Sequence, residues 1–445
     1  MRDDRRTNRP GIRAGKDPRR VVAEALIQVG RDGAYSNLVA ERRFDALPAG
    51  RERAFASALF YGVLERELTL RHILRRYSKK PPEKLDPEVL TALEMGLYQL
   101  LYLGSVPERA AVNESVALVR KLGKGSAAGF VNGVLRSFLR DGKALHLEEL
   151  EGVERLAVEA SAPAALCRLL TDQYGEAAAR KFLLAALEPA PVYLRVNTLR
   201  TTPAALAEEL AAAGARVEET GVDGCLKLTG GGDITGYAAF AAGKLHVQDL
   251  SCQLCCAAVG AEPGMRVLDA CSAPGGKAFT LAEIMEDTGE LVACDLYPAR
   301  VGLIEAGAKR LGLTCIRARV ADAAQEDPGL GLFDRVLCDV PCSGLGIIRR
   351  KPELKYRAME GIGALPEAQY AILRTAADHV KPGGVLVYST CTVNRDENEA
   401  VIGRLLRERE DFTPEAITPE GDYFRTLLPE DGGDGFFFAA VRRRL

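Results

Sequence analysis

Two cysteines stand where thiol chemistry is possible: Cys342 in Asp339-Val340-Pro341-Cys342-Ser343-Gly344, and Cys391 in Tyr388-Ser389-Thr390-Cys391-Thr392. Each follows a short apolar run, 334–338 and 384–388, that reads as a strand. Both thiols therefore fall at the carboxyl ends of strands, where open α/β sheets bind their ligands. Two thiols at one sheet edge point to nucleophilic catalysis with a thiolate as the attacking group. Cys391 also precedes a helix expected over 396–408, whose N-terminal end favours a thiolate.

The elements that would position these residues alternate regularly. Strands are expected over 266–271, 290–295, 314–318, 334–339 and 385–389, with helices over 278–285, 298–311, 366–380 and 396–408 and a closing apolar strand over 435–441. That order predicts a parallel, doubly wound sheet. Asp269-Ala270-Cys271-Ser272-Ala273-Pro274-Gly275-Gly276-Lys277 joins its first strand to its first helix. Small residues there let the backbone approach a ligand, and the helix N-terminus offers unpaired N–H groups. A phosphate-binding loop would need Gly at 271 and Ser or Thr at 278, so Cys271 and Ala278 exclude it, and the dinucleotide fingerprint is absent too. A nucleoside cofactor that carries a carboxylate remains. Asp295 ends the second strand, placed for ribose hydroxyls. Asp322 follows the third, placed for an adenine edge, and Asp339 ends the fourth beside Cys342.

Upstream the pattern changes. Residues 150–245 mix helices with short strands (192–196, 225–228, 244–247) and read as a small α+β module. From 18 to about 140 the apolar residues recur at helical spacing, as in Leu90, Leu93, Leu97 and Leu100, and predict an all-α domain. Residues 1–17 read as a disordered basic arm. The net charge of −2 conceals clustering: residues 1–20 carry eight Arg/Lys against three Asp, and 347–357 carry five positive charges against one negative. The second run follows Cys342, which favours contact with phosphates through Arg349, Arg350 and Lys351. Eleven scattered cysteines fit reduced thiols better than a disulfide framework. Cys252, Cys255 and Cys256 lack a second Cys or His pair at zinc-finger distance, so they are read as core and no metal is expected. No uncharged apolar run is long enough for a membrane span, and no secretory signal is read at the N-terminus. A cytoplasmic protein is expected.

Three runs in this order, 269–277, 339–344 and 388–392, resemble motifs I, IV and VI of the RNA cytosine-C5 methyltransferases of the Nol1/Nop2/Sun type. The stretch from Gly344 to Lys355 and the segment from Leu428 to Phe438 are similar to the same family. The helical head, with Ala111-Val112-Asn113-Glu114-Ser115 and Phe130-Val131-Asn132-Gly133-Val134, resembles the antitermination factor NusB. A NusB-like head on this catalytic domain is the arrangement of bacterial small-subunit rRNA methyltransferases. The resemblance implies a class I S-adenosylmethionine-dependent Rossmann-like domain over 246–445. Before it come a small RRM-like α+β module over 150–245 and a NusB-like, RNA-binding all-α domain over 18–145. By the same resemblance Cys391 is the nucleophile that adds to cytosine C6, Cys342 assists elimination and release, Asp339 bonds the N3 edge, and Lys277 positions base or cofactor. Cys271, Ser272, Ala273, Pro274, Gly275, Gly276, Lys277, Asp295, Arg300, Asp322 and Asp339 would hold S-adenosylmethionine and its product S-adenosylhomocysteine. The implied substrate is 16S rRNA, free or partly assembled, with position 967 of that RNA as the expected target of a monomeric enzyme. Tyr356 stands where the family often has Trp, a change that preserves stacking.

Two other readings make different demands. A DNA cytosine-C5 methyltransferase would attack through the Pro-Cys thiol, Cys342, and leave Cys391 incidental. A non-catalytic NusB-type RNA-binding factor would have no use for the residues at four strand ends. Adenine and protein-amide methyltransferases use Asn/Asp-Pro-Pro-Tyr, where this chain has Asp339-Val340-Pro341-Cys342.

Overall fold

A computed structural model of the chain describes residues 17–32, 36–48, 50–357, 359 and 361–445. The arm expected over 1–17 lies, apart from Asp17, outside the described residues. The chain divides into two compact units, one reaching to Cys167 and including Lys351–Glu353, the other made of the remainder.

The first unit is helical: α1 (Pro18–Asp32), α2 (Ser36–Phe44), α3 (Arg51–Glu65), α4 (Glu67–Tyr77), α5 (Pro87–Tyr102), α6 (Glu108–Lys121), α7 (Ala128–Arg140) and α8 (Gly152–Glu159). Pro87 occupies the first turn of α5, where its missing N–H costs nothing. α5 is buried almost all round, with Ala92, Leu93, Met95 and Leu97 fully enclosed. Leu59, Phe60, Leu70, Leu74, Val131 and Phe138 from its neighbours belong to the same core, as expected of a central helix in a bundle.

The second unit opens with α9 (Ala164–Tyr174, from Arg168 onward) and α10 (Glu176–Ala185). A four-stranded antiparallel sheet follows, β1 (Val192–Val196), β2 (Arg216–Glu219), β3 (Cys225–Gly230) and β4 (Leu245–Val247), in the order β2-β3-β1-β4. α11 (Pro203–Ala212), capped by Thr202 Oγ1, covers it with Leu206 and Leu210, and α12 (Ala238–Ala241) adds Ala239. Strand β2 escapes a reading by hydrophobic alternation because it is an exposed edge of Arg216-Val217-Glu218-Glu219.

The larger sheet takes α13 (Leu250–Val259), β5 (Arg266–Asp269), α14 (Gly276–Ile284), β6 (Glu290–Asp295), α15 (Pro298–Leu311), β7 (Ile316–Val320) and β8 (Phe333–Asp339). It continues through α16 (Leu354–Arg357), α17 (Leu365–Asp378), β9 (Val380–Thr390), α18 (Glu399–Glu408), β10 (Phe412–Pro414), β11 (Phe424–Leu427) and β12 (Phe436–Arg443). Strand order is β10-β12-β9-β8-β5-β6-β7, with β11 on β12. Strands β5 to β9 are mutually parallel, as expected of a doubly wound sheet. The sheet as a whole is mixed, because β12 runs antiparallel to β9 and carries β10 and β11 on its far side. Successive strand residues divide between the two faces: Val267, Leu291, Leu337 and Val387 pack with α14 and α15, while Leu268, Val336, Leu386 and Tyr388 pack with α17 and α18. Both faces are covered, which is why these strands read as continuous apolar runs. Truncating one such side chain, Leu386→Ala, removes about 2–5 kcal/mol.

Two elements begin two or more residues later than their sequence patterns suggest. β7 starts at Ile316 rather than 314, because Asp287 accepts the backbone N–H groups of Thr314 and Cys315 and holds them in a turn. α18 starts at Glu399 rather than 396, because Asn394, Glu397 and Asn398 use their side chains to tie loops together.

Candidate active site

The two thiols meet. β8 and β9 are adjacent and parallel in register, Asp339 opposite Ser389, so the loops leaving them share one edge. Cys342 Sγ lies 3.1 Å from Cys391 Sγ. The hydrogen bond to Cys391, then burial, then the nearby Glu397 carboxylate hold Cys342 well above the ordinary thiol range. Cys342 therefore keeps its proton beside the other sulfur.

Lys277, in the first turn of α14, donates from Nζ to Asp339 Oδ2 at 2.7 Å, and Ser389 Oγ donates to Asp339 Oδ1 at 2.8 Å. Burial, the largest single influence, acts to lower Lys277, but the charge of Asp339, the nearby Cys252 and Cys255 thiols and the hydrogen bond to Asp339 together outweigh it and raise the ammonium well above its usual value. The ammonium also stands 5.0 Å from the centre of the Phe436 ring. Asp339 remains about a quarter exposed, so this pair faces an opening.

The glycine loop leaves β5 beside this cluster. Gly275 has φ 108°, and a Cβ there would meet the Phe279 ring at 2.4 Å, so glycine is required. Ser272 N–H donates to Cys294 O at 2.7 Å, Gly275 N–H donates to Ser272 O at 2.8 Å, and the Ala273–Pro274 peptide is cis. Asp269 is completely buried, yet neither carboxylate oxygen has a hydrogen-bond partner, and Ser272 Oγ is also unpartnered. Burial pushes the Asp269 carboxyl up to about 7. A buried, unpaired acid is costly and calls for a cationic partner.

Asp295 is buried at the end of β6, where Oδ1 accepts the Tyr297 N–H, and Arg300 approaches its other oxygen at 3.2 Å. Arg300 also donates to Ala273 O at 2.8 Å and so links that strand end to the glycine loop. Asp322 caps the turn after β7, accepting the Ala324 N–H at 3.0 Å. It lines a cavity of about 160 Å³ with Leu268, Ala270, Cys294 and Leu330. Cys271 is half-buried, and the desolvation of its thiol pushes it well up.

The basic run divides. Arg350 is gripped by Asp434 and by Asp249 (2.9 Å) and donates to Pro191 O at 2.8 Å, so its guanidinium serves the fold rather than a surface. Arg349 donates to Pro189 O at 3.2 Å from a more exposed place, and Lys351 is half-buried within the first unit. All eleven cysteines are free. Cys255 and Cys256 on α13 lie in the core, while half-buried Cys252 feels Lys277 and Cys391, and burial raises it to about 12.

Several residues at the site carry no sequence signal as site residues: Asp269 as an unpaired acid, Ser389 behind Asp339, and Glu397, Gln369 and Asn394 beneath the thiols. Only Asp269 and Ser389 lie inside motif-like runs.

A Rossmann-like sheet with this strand-end chemistry defines a nucleoside-cofactor methyltransferase. The family models agree domain by domain: 16S rRNA methyltransferase RsmB/F matches residues 257–442, an RsmF/B-like ferredoxin-like domain matches 162–235, and the NusB family matches 16–140. The probable ribosomal RNA small subunit methyltransferase B of Bacillus subtilis is 39% identical over 442 residues, covering 96% of this chain and 98% of its own. The ribosomal RNA small subunit methyltransferase B of Pseudomonas syringae is 34% identical over 441 residues, covering 96% of each. The crystal structure of PH0851 superposes with a TM-score of 0.80 at 23% identity, over 96% of this chain and 99% of that one. A methyltransferase homologue from Pyrococcus horikoshii gives 0.59 at 26% identity, over 66% of this chain and 100% of that one. The chain belongs to the ribosomal RNA small subunit methyltransferase B family, S-adenosylmethionine-dependent methyltransferases of rRNA.

Proposed function

We propose that this protein methylates C5 of a cytosine in small-subunit rRNA through a covalent bond between Cys391 and C6 of the base. The observation that carries this reading is the pair of thiols 3.1 Å apart at adjacent strand ends, beside the Lys277–Asp339 pair. One thiol would suffice for attack on the ring; a second, protonated one suits elimination.

The residues present fit S-adenosylmethionine. The unpaired Asp269 carboxylate suits the ammonium of its methionine part, Asp295 its ribose hydroxyls, and the cavity at Asp322 its adenine. When bound, the cofactor supplies an electrophilic sulfonium methyl group. The sulfur of Cys391 adds to C6, and the C5–C6 π electrons move to C5, which takes the methyl carbon. Asp339 and Lys277 orient the base at its N3 edge and hold a proton there. In the last step Cys342 passes its proton to the departing Cys391 sulfur and takes up the C5 proton, so that the C6–Sγ bond breaks and the C5–C6 double bond reforms.

The target base must be unpaired to enter such a site. The basic arm, the head over 18–145 and the module over 150–245 would supply backbone contacts around it, in a monomeric cytoplasmic enzyme acting on free or partly assembled RNA. Among the described residues no helix is long and apolar enough to cross a membrane. The test is methyl transfer to 16S rRNA from cells lacking the protein, with mapping of 5-methylcytosine. A product other than 5-methylcytosine, or a covalent RNA adduct through Cys342 that persists in Cys391→Ala, would overturn the assignment.

A further inference from the structure

Glu397 lies six residues past Cys391 and is fully buried. Four donated hydrogen bonds converge on its carboxylate. Ser343, which follows Cys342, gives its backbone N–H at 2.8 Å and its Oγ–H at 2.6 Å. Gln369 of α17 gives Nε2–H at 2.9 Å, and the same nitrogen reaches Pro341 O at 3.0 Å. Asn394 gives Nδ2–H at 3.1 Å. Since the Ser343 hydroxyl proton goes to Glu397, the 2.8 Å contact between Ser343 Oγ and Thr392 Oγ1 must be donated by Thr392, the neighbour of Cys391. One carboxylate thus ties together the residues that flank both thiols.

The two thiols do not depend on it equally. Cys391 directly follows Thr390, which is paired with Phe437 of β12, and the Cys391 carbonyl accepts the Gly346 N–H at 3.0 Å. Its place is set by the sheet. Cys342 sits three residues beyond the last residue of β8, and the peptide that follows it is held by Glu397.

Resting on the thiol roles proposed above, we infer that Glu397 is a positioning residue for release of the methylated base: it keeps Cys342 against the nucleophile, while attack by Cys391 proceeds without it. Glu397 is also a negative neighbour of Cys342, acting after the Cys391 hydrogen bond and burial to keep that thiol protonated.

The test compares wild type, Cys342→Ala and Glu397→Gln, scoring covalent protein–RNA adduct on denaturing gels and methyl transfer in a single turnover. Glu397→Gln keeps the shape but turns an N–H toward two donors. It is expected to accumulate adduct at least ~10-fold above wild type while methyl transfer stays within about threefold. Glu397→Asp, which keeps the charge, restores part of release. Equal slowing of transfer and release, or release at the wild-type rate, overturns the positioning role. Calorimetric binding of S-adenosylhomocysteine verifies the fold. If Glu397→Gln fails to bind it, Ser343→Ala, which removes a single donor to Glu397, serves with the same expected direction and the same overturning results. Adduct in Cys342→Ala but not in the Glu397 and Ser343 variants sinks this inference alone; no adduct in Cys342→Ala sinks the thiol roles and this inference with them.

Discussion

One short helix, α14, carries two ion pairs with opposite fates. At its first turn Lys277 meets Asp339 at the strand ends, where the carboxylate stays about a quarter exposed. Near its last turn Glu283 meets Arg195 of β1 at 3.0 Å, with side chains that are 0% and 8% exposed. His246 of β4 approaches the same carboxylate at 3.6 Å, and Thr280 bonds Gln248 at 2.7 Å. Burial, then the positive charges of Arg195 and Arg310, depress His246 to about 3, and burial pushes Glu283 up to about 7. The sealed pair fastens the small sheet to the cofactor domain, where breaking it strands a charge. The open pair stands beside thiols and an unpaired acid, where its charges have work left to do. Exposure, rather than ion pairing itself, separates the two, since buried atoms without a hydrogen-bond partner occur at both, Glu283 Oε1 and His246 Nδ1 at one and the Asp269 oxygens at the other.

Substitutions can break that contrast. The largest effect belongs to the open site: Cys391→Ala should lower methyl transfer by ~10³-fold or more while leaving the thermal unfolding midpoint near wild type. A large fall in stability would make Cys391 a core residue. Next, Arg195→Met should cost about 3–5 kcal/mol in chemical denaturation at pH 8 by leaving Glu283 buried without a partner. Activity per folded molecule should hold, and Arg195→Met/Glu283→Gln should recover part of the loss. Lower activity with unchanged stability would erase the distinction between the two pairs. Asp339→Asn should slow transfer by ~10²-fold, with stability little changed because the site stays wet on one side. The smallest effect concerns Asp269. Its raised pKa means that it holds a proton below about 7, and a cationic ligand must displace that proton. Affinity for S-adenosylhomocysteine should therefore weaken about tenfold per pH unit on acidification below 7, and level off above it. Titrations at pH 5.5, 6.5 and 7.5 decide this, and a flat profile would show that Asp269 meets no ammonium.

The open site was the more legible in sequence. Asp339, Cys342, Cys391 and the 269–277 loop each interrupt or end an apolar run, and the fold rule for strand ends does the rest. The parallel core of the sheet and the helical head followed from periodicity in the same way. Glu397 lay hidden in Asn394-Arg395-Asp396-Glu397-Asn398-Glu399, which reads as a solvated helix start; only the folded chain shows that one of these acids is enclosed by Ser343 and Gln369. Arg350 misled for the converse reason. A basic run reads as a surface, whereas its partners, Asp249 and Asp434, stand 185 residues apart. The antiparallel placement of β12 was equally hidden, since an apolar run does not state its direction.

That placement has a consequence for when activity arises. Gly346 and Gly435 pack so closely that a Cβ on Gly346 would fall 1.8 Å from the Gly435 carbonyl oxygen. Gly435 N–H donates to Gly346 O at 2.9 Å, and Gly346 N–H in turn donates to the Cys391 carbonyl. The loop behind Cys391 is therefore completed by a segment more than forty residues further along the chain. Pairings so distant in sequence form late in folding. On a ribosome, a nascent chain would carry both thiols and the glycine loop while remaining inert, and would gain its chemistry only as β12 slots between β9 and β10.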